Sequence, residues 1–235
     1  LAVRAVFYAW RSKFPLRDWP AILQLFLFTP QNHFRFRGLS FDYPVATSFR
    51  YQFHEVFVRQ VYYVEPTRPV ERIVDLGANI GVSALYFLHR CSGCRLWCVE
   101  PGDRNFDYLQ RNIGQNRIQG VTLIHKAIAN RTGESIEFCE SPSEPGHSSI
   151  YRERSIEPVV SQVETLGLND LLLEVTHVDL LKMDIEGAEN LLFSSDLNLQ
   201  RVDSMFIEYH NFTTIGDRNL PDLLRQIEAK GFEYS

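Results

Sequence analysis

The chain has 235 residues, 45% of them apolar, with 24 Lys+Arg against 29 Asp+Glu and a formal net charge of -5. That size and apolar share suit one large domain, or one domain with an accessory segment. The acidic balance and singly scattered cations argue against nucleic acid as a partner, and no apolar run reaches the roughly 20 residues that span a bilayer. With no basic leader and cleavage site visible, the expected compartment is the cytoplasm. There Cys91, Cys94, Cys98 and Cys139 would be reduced thiols; a single C-x-x-C without a second pair gives no reason to expect zinc.

Residues 1–60 differ from the rest. They hold eight Lys/Arg against three Asp/Glu and 15 of the 30 aromatic residues. In the run 21–28, AILQLFLF, apolar residues occupy nearly every helical face except at Gln24, with Asp18 as N-cap and Pro20 near the first turn. Such a helix is expected to be buried against the main domain or a second subunit, with peripheral membrane contact as the alternative. Residues 32–51 read as a hairpin, with turn residues Gly38 and Pro44. Residues 53–64 read as a helix with Phe53, Val56, Phe57 and Val61 on one stripe; His54 there lacks the second histidine of a zinc-protease helix and is expected at the surface or in a cap. Residues 1–65 thus form an aromatic, basic extension of helix, hairpin and helix.

From residue 72 the rhythm changes. RIVDL, RLWCVE, VTLIHKAIA, VDLLKMDIE and SMFIEYH are strand-like. Helical patterns intervene at about 80–90, 103–114, 187–194 and 218–230. Strands alternating with helices imply right-handed crossovers and a mostly parallel sheet covered on both faces, spanning 66–235. Residues 131–163 interrupt it with Gly133, Pro142, Pro145, Gly146 and Pro158. They read as a β-hairpin insertion over the site, with His147 either a lid contact or a surface residue.

In a doubly wound sheet the ligand crevice lies beyond the carboxyl ends of the strands. DLGANIG, residues 75–81, occupies that place, but Asn79 and Val82 break the dinucleotide fingerprint and no phosphate-binding P-loop is present. Glu100 follows 23 residues after Gly77, where a carboxylate accepts both hydroxyls of a ribose. Asp75 would repel a phosphate and attract a sulfonium. Gly77 and Gly81 allow close backbone approach, and Asn79 tolerates the left-handed conformation. The ligand that fits is a cationic, phosphate-free nucleoside, S-adenosylmethionine.

VDLGANIGVSALYF, CVEPGDRNFDYLQRNI and LLKMDIEGAENLLF, in that order, resemble the FkbM-type S-adenosylmethionine-dependent methyltransferases; the resemblance covers about 72–210. It implies a class I Rossmann-like fold. It also implies that Asp75, Gly77, Ala78, Asn79 and Gly81 border the methionine portion of the cofactor, with Ser83 as a carboxylate contact. Glu100 would then hold the ribose, Ala127 would lie near the adenine through its backbone, and Pro101 and Asp184 are further cofactor-binding candidates. Asn169 departs from the family, which more often shows Asp. The chain also ends at GFEYS, where a sixth strand should be starting.

Methyl transfer to a hydroxyl benefits from a base within hydrogen-bond reach of the acceptor. Lys182, Asp184 and Glu186 share a side by strand period two, as do Glu208 and His210. Asp184, Glu186, Glu208 and His210 are therefore the candidate catalytic residues, with His210 as general base and Glu208 orienting it or the acceptor. The same groups offer hard ligands to Mg2+, although nothing in their spacing requires it. Glu189 reads as a solvated helix residue and Lys182 as the partner of Asp184. The expected activity is O-methylation of a hydroxylated small molecule such as a sugar, polyketide or glycolipid head group. The N-terminal region would close the acceptor side or form a homodimer contact. A nicotinamide-dependent oxidoreductase and a non-catalytic adenosyl-ligand module are the alternatives.

Overall fold

The computed structural model describes residues 15–27, 32–63, 65, 68–141, 148, 159–193, 196–210 and 220–234. Five parallel strands form the central sheet: β3 (Arg72–Leu76), β4 (Arg95–Val99), β5 (Val121–Ile124), β9 (Leu180–Met183) and β10 (Met205–Ile207). Their order is β10-β9-β3-β4-β5. Sequence order runs outward from β3 to β5 on one side and from β9 to β10 on the other. The reversal between β3 and β9 opens the crevice where ligands bind in doubly wound sheets, and this is the class I Rossmann-like arrangement.

Alternation along β3 divides the core. Ile73 joins Leu96 and Leu180 on the face covered by α3 (Val82–Arg90) and α4 (Asp103–Gln115). Val74 and Leu76 join Val99, Leu181 and Met183 on the other face, under α5 (Leu168–Val175) and α7 (Leu220–Ala229). The short helix α6 (Glu189–Phe193) follows β9. Among the described residues no helix is long and apolar enough to cross a membrane.

The N-terminal elements pack into the first of these cores rather than standing apart from it. Helix α1 (Trp19–Leu27) buries Ile22 and Leu25 completely. At the start of α1 the carboxylate of Asp18 accepts hydrogen bonds from Nε and Nη2 of Arg37, both on Oδ2. The hairpin is shorter than the sequence suggests. It pairs β1 (His33–Phe36) with β2 (Leu39–Asp42), and the chain after Pro44 turns into α2 (Ala46–Phe53). The helix expected over 53–64 therefore starts seven residues earlier and ends in a π turn at His54–Val58. Phe49, Phe53 and Phe57, four apart, form its buried stripe. Val58 is buried in place of Val61, which is 38% exposed. The ring stack of Phe53 on Phe57, centroids 4.9 Å apart, continues onto Tyr86 of α3 at 5.4 Å.

One buried amide joins this extension to the glycine turn. Asn112 on α4 accepts the N–H of Asp42 at 2.7 Å and donates to the carbonyls of Asp42 and Ile80 at 2.9 and 2.7 Å.

VTLIHKAIA is two strands, not one. After β5 the chain breaks at His125 and Lys126, and β6 (Ala127–Ala129) leaves the main sheet. It pairs in parallel with β8 (Val159–Gly167), which in turn pairs antiparallel with β7 (Ser135–Glu140). The expected hairpin insertion is thus part of a three-stranded sheet that extends beyond residue 163. His147 lies outside the described residues.

Candidate functional site

A cavity of about 770 Å³ opens at the carboxyl ends of β3, β4, β9 and β10. Gly77, Ala78, Asn79, Ser83, Glu100, Pro101 and Ala127 line one part, and Asp184, Glu186, Glu208 and His210 line another. Eleven of the thirteen residues expected at the site therefore share one space. Asp75 and Gly81 are the exceptions among them, and their positions explain how the turn is built.

Asp75 is fully buried beneath the turn. Its Oδ2 accepts the hydroxyl of Ser83 at 2.6 Å and its Oδ1 lies 3.2 Å from Nζ of Lys182. This corrects the expectation that Asp75 presents its charge to the ligand: Lys182 neutralises it within the core. Ser83 spends its single hydroxyl proton on Asp75, so it has none left to donate to a ligand carboxylate, which is itself acceptor-only. Lys182 also donates to the carbonyl of Gly77 at 2.7 Å and lies 3.6 Å from Asp184. These neighbours, chiefly Asp75 and Asp184, hold its ammonium far above the ordinary lysine range against the opposing effect of burial.

The glycines serve packing as much as ligand approach. Gly77 has φ +73, and a Cβ there would lie 1.8 Å from the carbonyl oxygen of Asp184, so the turn after β3 runs directly against the turn after β9. Gly81 has φ +90 and abuts Leu109 of α4. Between them Asn79 adopts the left-handed conformation with φ +50, as its side-chain type suggests.

Glu100 is 4% exposed at the end of β4. One oxygen accepts the N–H of Asn79 at 2.9 Å; the other accepts the N–H of Gly102 at 3.0 Å. Burial pushes its carboxyl up to about 7, while the hydrogen bonds from Gly102, Asn79 and Asn105 pull the other way. Glu140, from β7, accepts the N–H groups of Asp103 and Arg104 and so caps α4 beside this carboxylate.

The acidic part arises from turns rather than strand alternation. β9 ends at Met183, and Glu186 takes φ +55 in the turn that follows. β10 ends at Ile207, before Glu208 and His210. The four groups still converge. His210 Nε2 lies 3.4 Å from Glu186, 3.8 Å from Glu208 and 4.0 Å from Asp184. Burial disfavours the imidazolium, but the hydrogen bond to Glu189 and the charges of Glu189, Asp184 and Glu208 outweigh it and raise the pKa of His210. Partial burial and the charge of Asp184 raise that of Glu208. Glu189, expected to be solvated, is completely buried against His210.

Sequence reasoning missed one wall. Thr47, Ser48, Tyr51, Gln52 and Glu55 line the cavity from α2 and its π turn. They lie on the side of α2 away from Phe49 and Phe53, and a helix begun at Ala46 would have displayed that polar stripe. Phe138 and Ser148, contributed from β7 and beyond it, also line the cavity. Asn169 stays outside it, tying α5 to the segment after α6 through Asp196 and Asn198.

Residues 75–234 match the Methyltransferase FkbM domain. Methyltransferase 1 of Beauveria bassiana is 30% identical over 200 residues, which cover 76% of this chain and 78% of that protein. The 2-O-methyltransferase NoeI of Sinorhizobium fredii is 28% identical over 160 residues, 60% of this chain and 64% of its own. The crystal structure of methyltransferase FkbM from Methylobacillus flagellatus KT superimposes with a TM-score of 0.38 at 21% identity. That match covers 75% of this chain and 43% of the other, so the chain spans under half the length of that neighbour.

Proposed function

Because the chain belongs to the FkbM methyltransferase family, we propose that it transfers a methyl group from S-adenosylmethionine to a hydroxyl of a small molecule, with His210 as general base. The observation that carries this reading is the continuity of the cavity from Glu100 and Ala78 to His210.

The residues present fit the proposed cofactor. Asp184 Oδ1 is buried with no hydrogen-bond partner among the described residues, and Glu186 and Glu208 stand beside it. A positive ligand is favoured there and a pyrophosphate is repelled, so the nicotinamide alternative is not favoured. Glu100 offers oxygen acceptors for ribose hydroxyls, and Ala127 lines the same cavity, where its backbone would meet an adenine edge. When bound, S-adenosylmethionine supplies an electrophilic methyl group on a sulfonium.

His210 then accepts the proton of the acceptor hydroxyl, whose oxygen gains nucleophilicity as the proton leaves. Glu208 and Glu186 accept hydrogen bonds from neighbouring hydroxyls and align the acceptor. The polar face of α2 lines the same cavity and would meet the acceptor there. Oxygen rather than nitrogen as the methylated atom is supported by the imidazole base and by the likeness to the 2-O-methyltransferase NoeI.

Calorimetric titration with S-adenosylhomocysteine tests the cofactor half. Glu100→Ala is expected to weaken binding by about 1.5 to 3 kcal/mol; equal affinity in both proteins removes the ribose assignment. Methyl transfer to a panel of hydroxylated acceptors tests the other half, with His210→Ala expected to lose on the order of 10² to 10⁴ in rate.

A further inference from the structure

We infer that Glu189 is a positioning residue for His210, holding Nδ1 of the ring so that Nε2 is the nitrogen presented to the acceptor. The inference rests on the reading of His210 as base and adds to it a buried residue with no role so far. Glu189 opens α6 and is 0% exposed. Its Oε1 accepts the N–H of Ile185 at 3.1 Å and lies 3.3 Å from His210 Nδ1. Its Oε2 has no hydrogen-bond partner among the described residues.

A carboxylate removed from water is costly unless a cation or donor compensates it. The imidazole of His210, itself only 14% exposed at the side chain, is the group the geometry offers. Its two nitrogens meet different surroundings. Nδ1 faces Glu189 on α6. Nε2 faces Asp184 and Glu186 from the turn after β9 and Glu208 from the end of β10, all within 4.0 Å. A ring that donates Nδ1–H to Glu189 is held in the tautomer whose basic nitrogen is Nε2.

The proton inventory closes on this arrangement. The acceptor hydroxyl gives its proton to Nε2 while its oxygen forms the new bond to the methyl carbon. The electron pair of the broken carbon–sulfur bond stays with sulfur. The imidazolium produced lies against a carboxylate already in place, so no solvent reorganisation is needed to stabilise it. The logic is that of a nucleophile or acceptor, a base and an orienting acid, here with the acid buried on a helix start.

The test uses the full chain labelled with 15N-histidine, the His210 signals being assigned by their loss in His210→Gln. Wild type is expected to show the Nδ1–H tautomer in its neutral form, and Glu189→Gln to shift the titration of His210 down by about one pH unit. Thermal unfolding of Glu189→Gln checks that the variant is folded, and Glu189→Asp is expected to recover part of the shift. In methyl-transfer assays Glu189→Gln is expected to lower kcat by about 100-fold with acceptor KM unchanged, and to move the acid limb of the pH profile down. An Nε2–H tautomer in wild type, or a folded Glu189→Gln with an unmoved titration, overturns the proposal. Undiminished transfer by His210→Ala removes the base assignment instead, and a shifted titration in Glu189→Gln then still leaves the pairing of the two residues in place.

Discussion

Lys182 Nζ lies 3.2 Å from Asp75 Oδ1 with both side chains out of water, and it bonds the carbonyls of Leu76 and Gly77 from the same position. One ammonium thus neutralises the acid of β3 and caps the turn that leads into α3. Because Lys182 belongs to β9, it also locks together the two strands between which strand order reverses.

Removing one partner of such a pair leaves an uncompensated buried charge. Lys182→Met is expected to lower stability by about 3 to 5 kcal/mol, seen as a fall of about 10 °C in Tm for a chain of this size. Asp75→Asn/Lys182→Met should recover part of that loss. A single variant as stable as wild type in thermal unfolding contradicts the pairing.

Gly77 gives a sharper prediction. A methyl group there would sit on the carbonyl oxygen of Asp184, and the positive φ adds roughly 1 kcal/mol for any other residue. Gly77→Ala is expected to displace the turn and to abolish binding of S-adenosylhomocysteine, whereas Gly93→Ala, with nothing within 4 Å, costs only its φ strain. Calorimetry on the two variants, side by side, separates steric demand from conformational demand. Equal binding in both refutes the close approach.

Glu100 sets a pH dependence of unusual sign. Its folded pKa is raised to about 7 from 4.5, so between these values the folded state holds more protons than the unfolded state. The free protein therefore gains stability from this group as pH falls through that window, up to about 3 kcal/mol, where an ion-paired carboxylate would lose it. Binding behaves oppositely, because the ionised form is the better acceptor for ribose hydroxyls. Affinity for S-adenosylhomocysteine is expected to fall by nearly tenfold per unit below pH 7, and Glu100→Gln should flatten that slope. A flat profile in the wild-type protein discards the ionised carboxylate as the ribose acceptor.

The main sheet was legible because RIVDL and its successors are short apolar runs stopped by glycine or acid, a signal that survives without tertiary context. The candidate residues expected at strand ends line the cavity, the acidic ones through turns rather than strand alternation. Two features were not legible for physical reasons. The helix ends in the π turn His54–Val58, so a regular 3.6-residue stripe carried over 53–64 picks Val61, which lies beyond the last helical residue. Glu189 looks solvated because a polar residue at a helix start usually is. Its burial comes from His210, 21 residues away, and no local pattern encodes that contact.

On the proposed function, the α2 wall would serve acceptor recognition and not cofactor recognition. Tyr51 and Glu55 lie one helical turn apart on the cavity side, and Tyr51 is 66% exposed, with area left for an acceptor to cover. Glu55 is held by Arg59 at 2.7 Å, which leaves it oriented before an acceptor arrives. Neither residue neighbours Glu100 or the glycine turn in sequence or on the same strand ends. Tyr51→Ala is therefore expected to raise acceptor KM several-fold, as loss of a neutral hydrogen bond of about 0.5 to 1.5 kcal/mol does, and Glu55→Gln by about tenfold or more, since a hydrogen bond to a charged group is worth roughly 1.5 to 3 kcal/mol; both leave S-adenosylhomocysteine affinity within about twofold. The check is a methyl-transfer assay with labelled donor, run beside calorimetry on the same preparations. Loss of cofactor affinity equal to the loss in acceptor KM would assign α2 to the fold of the whole cavity rather than to its acceptor side.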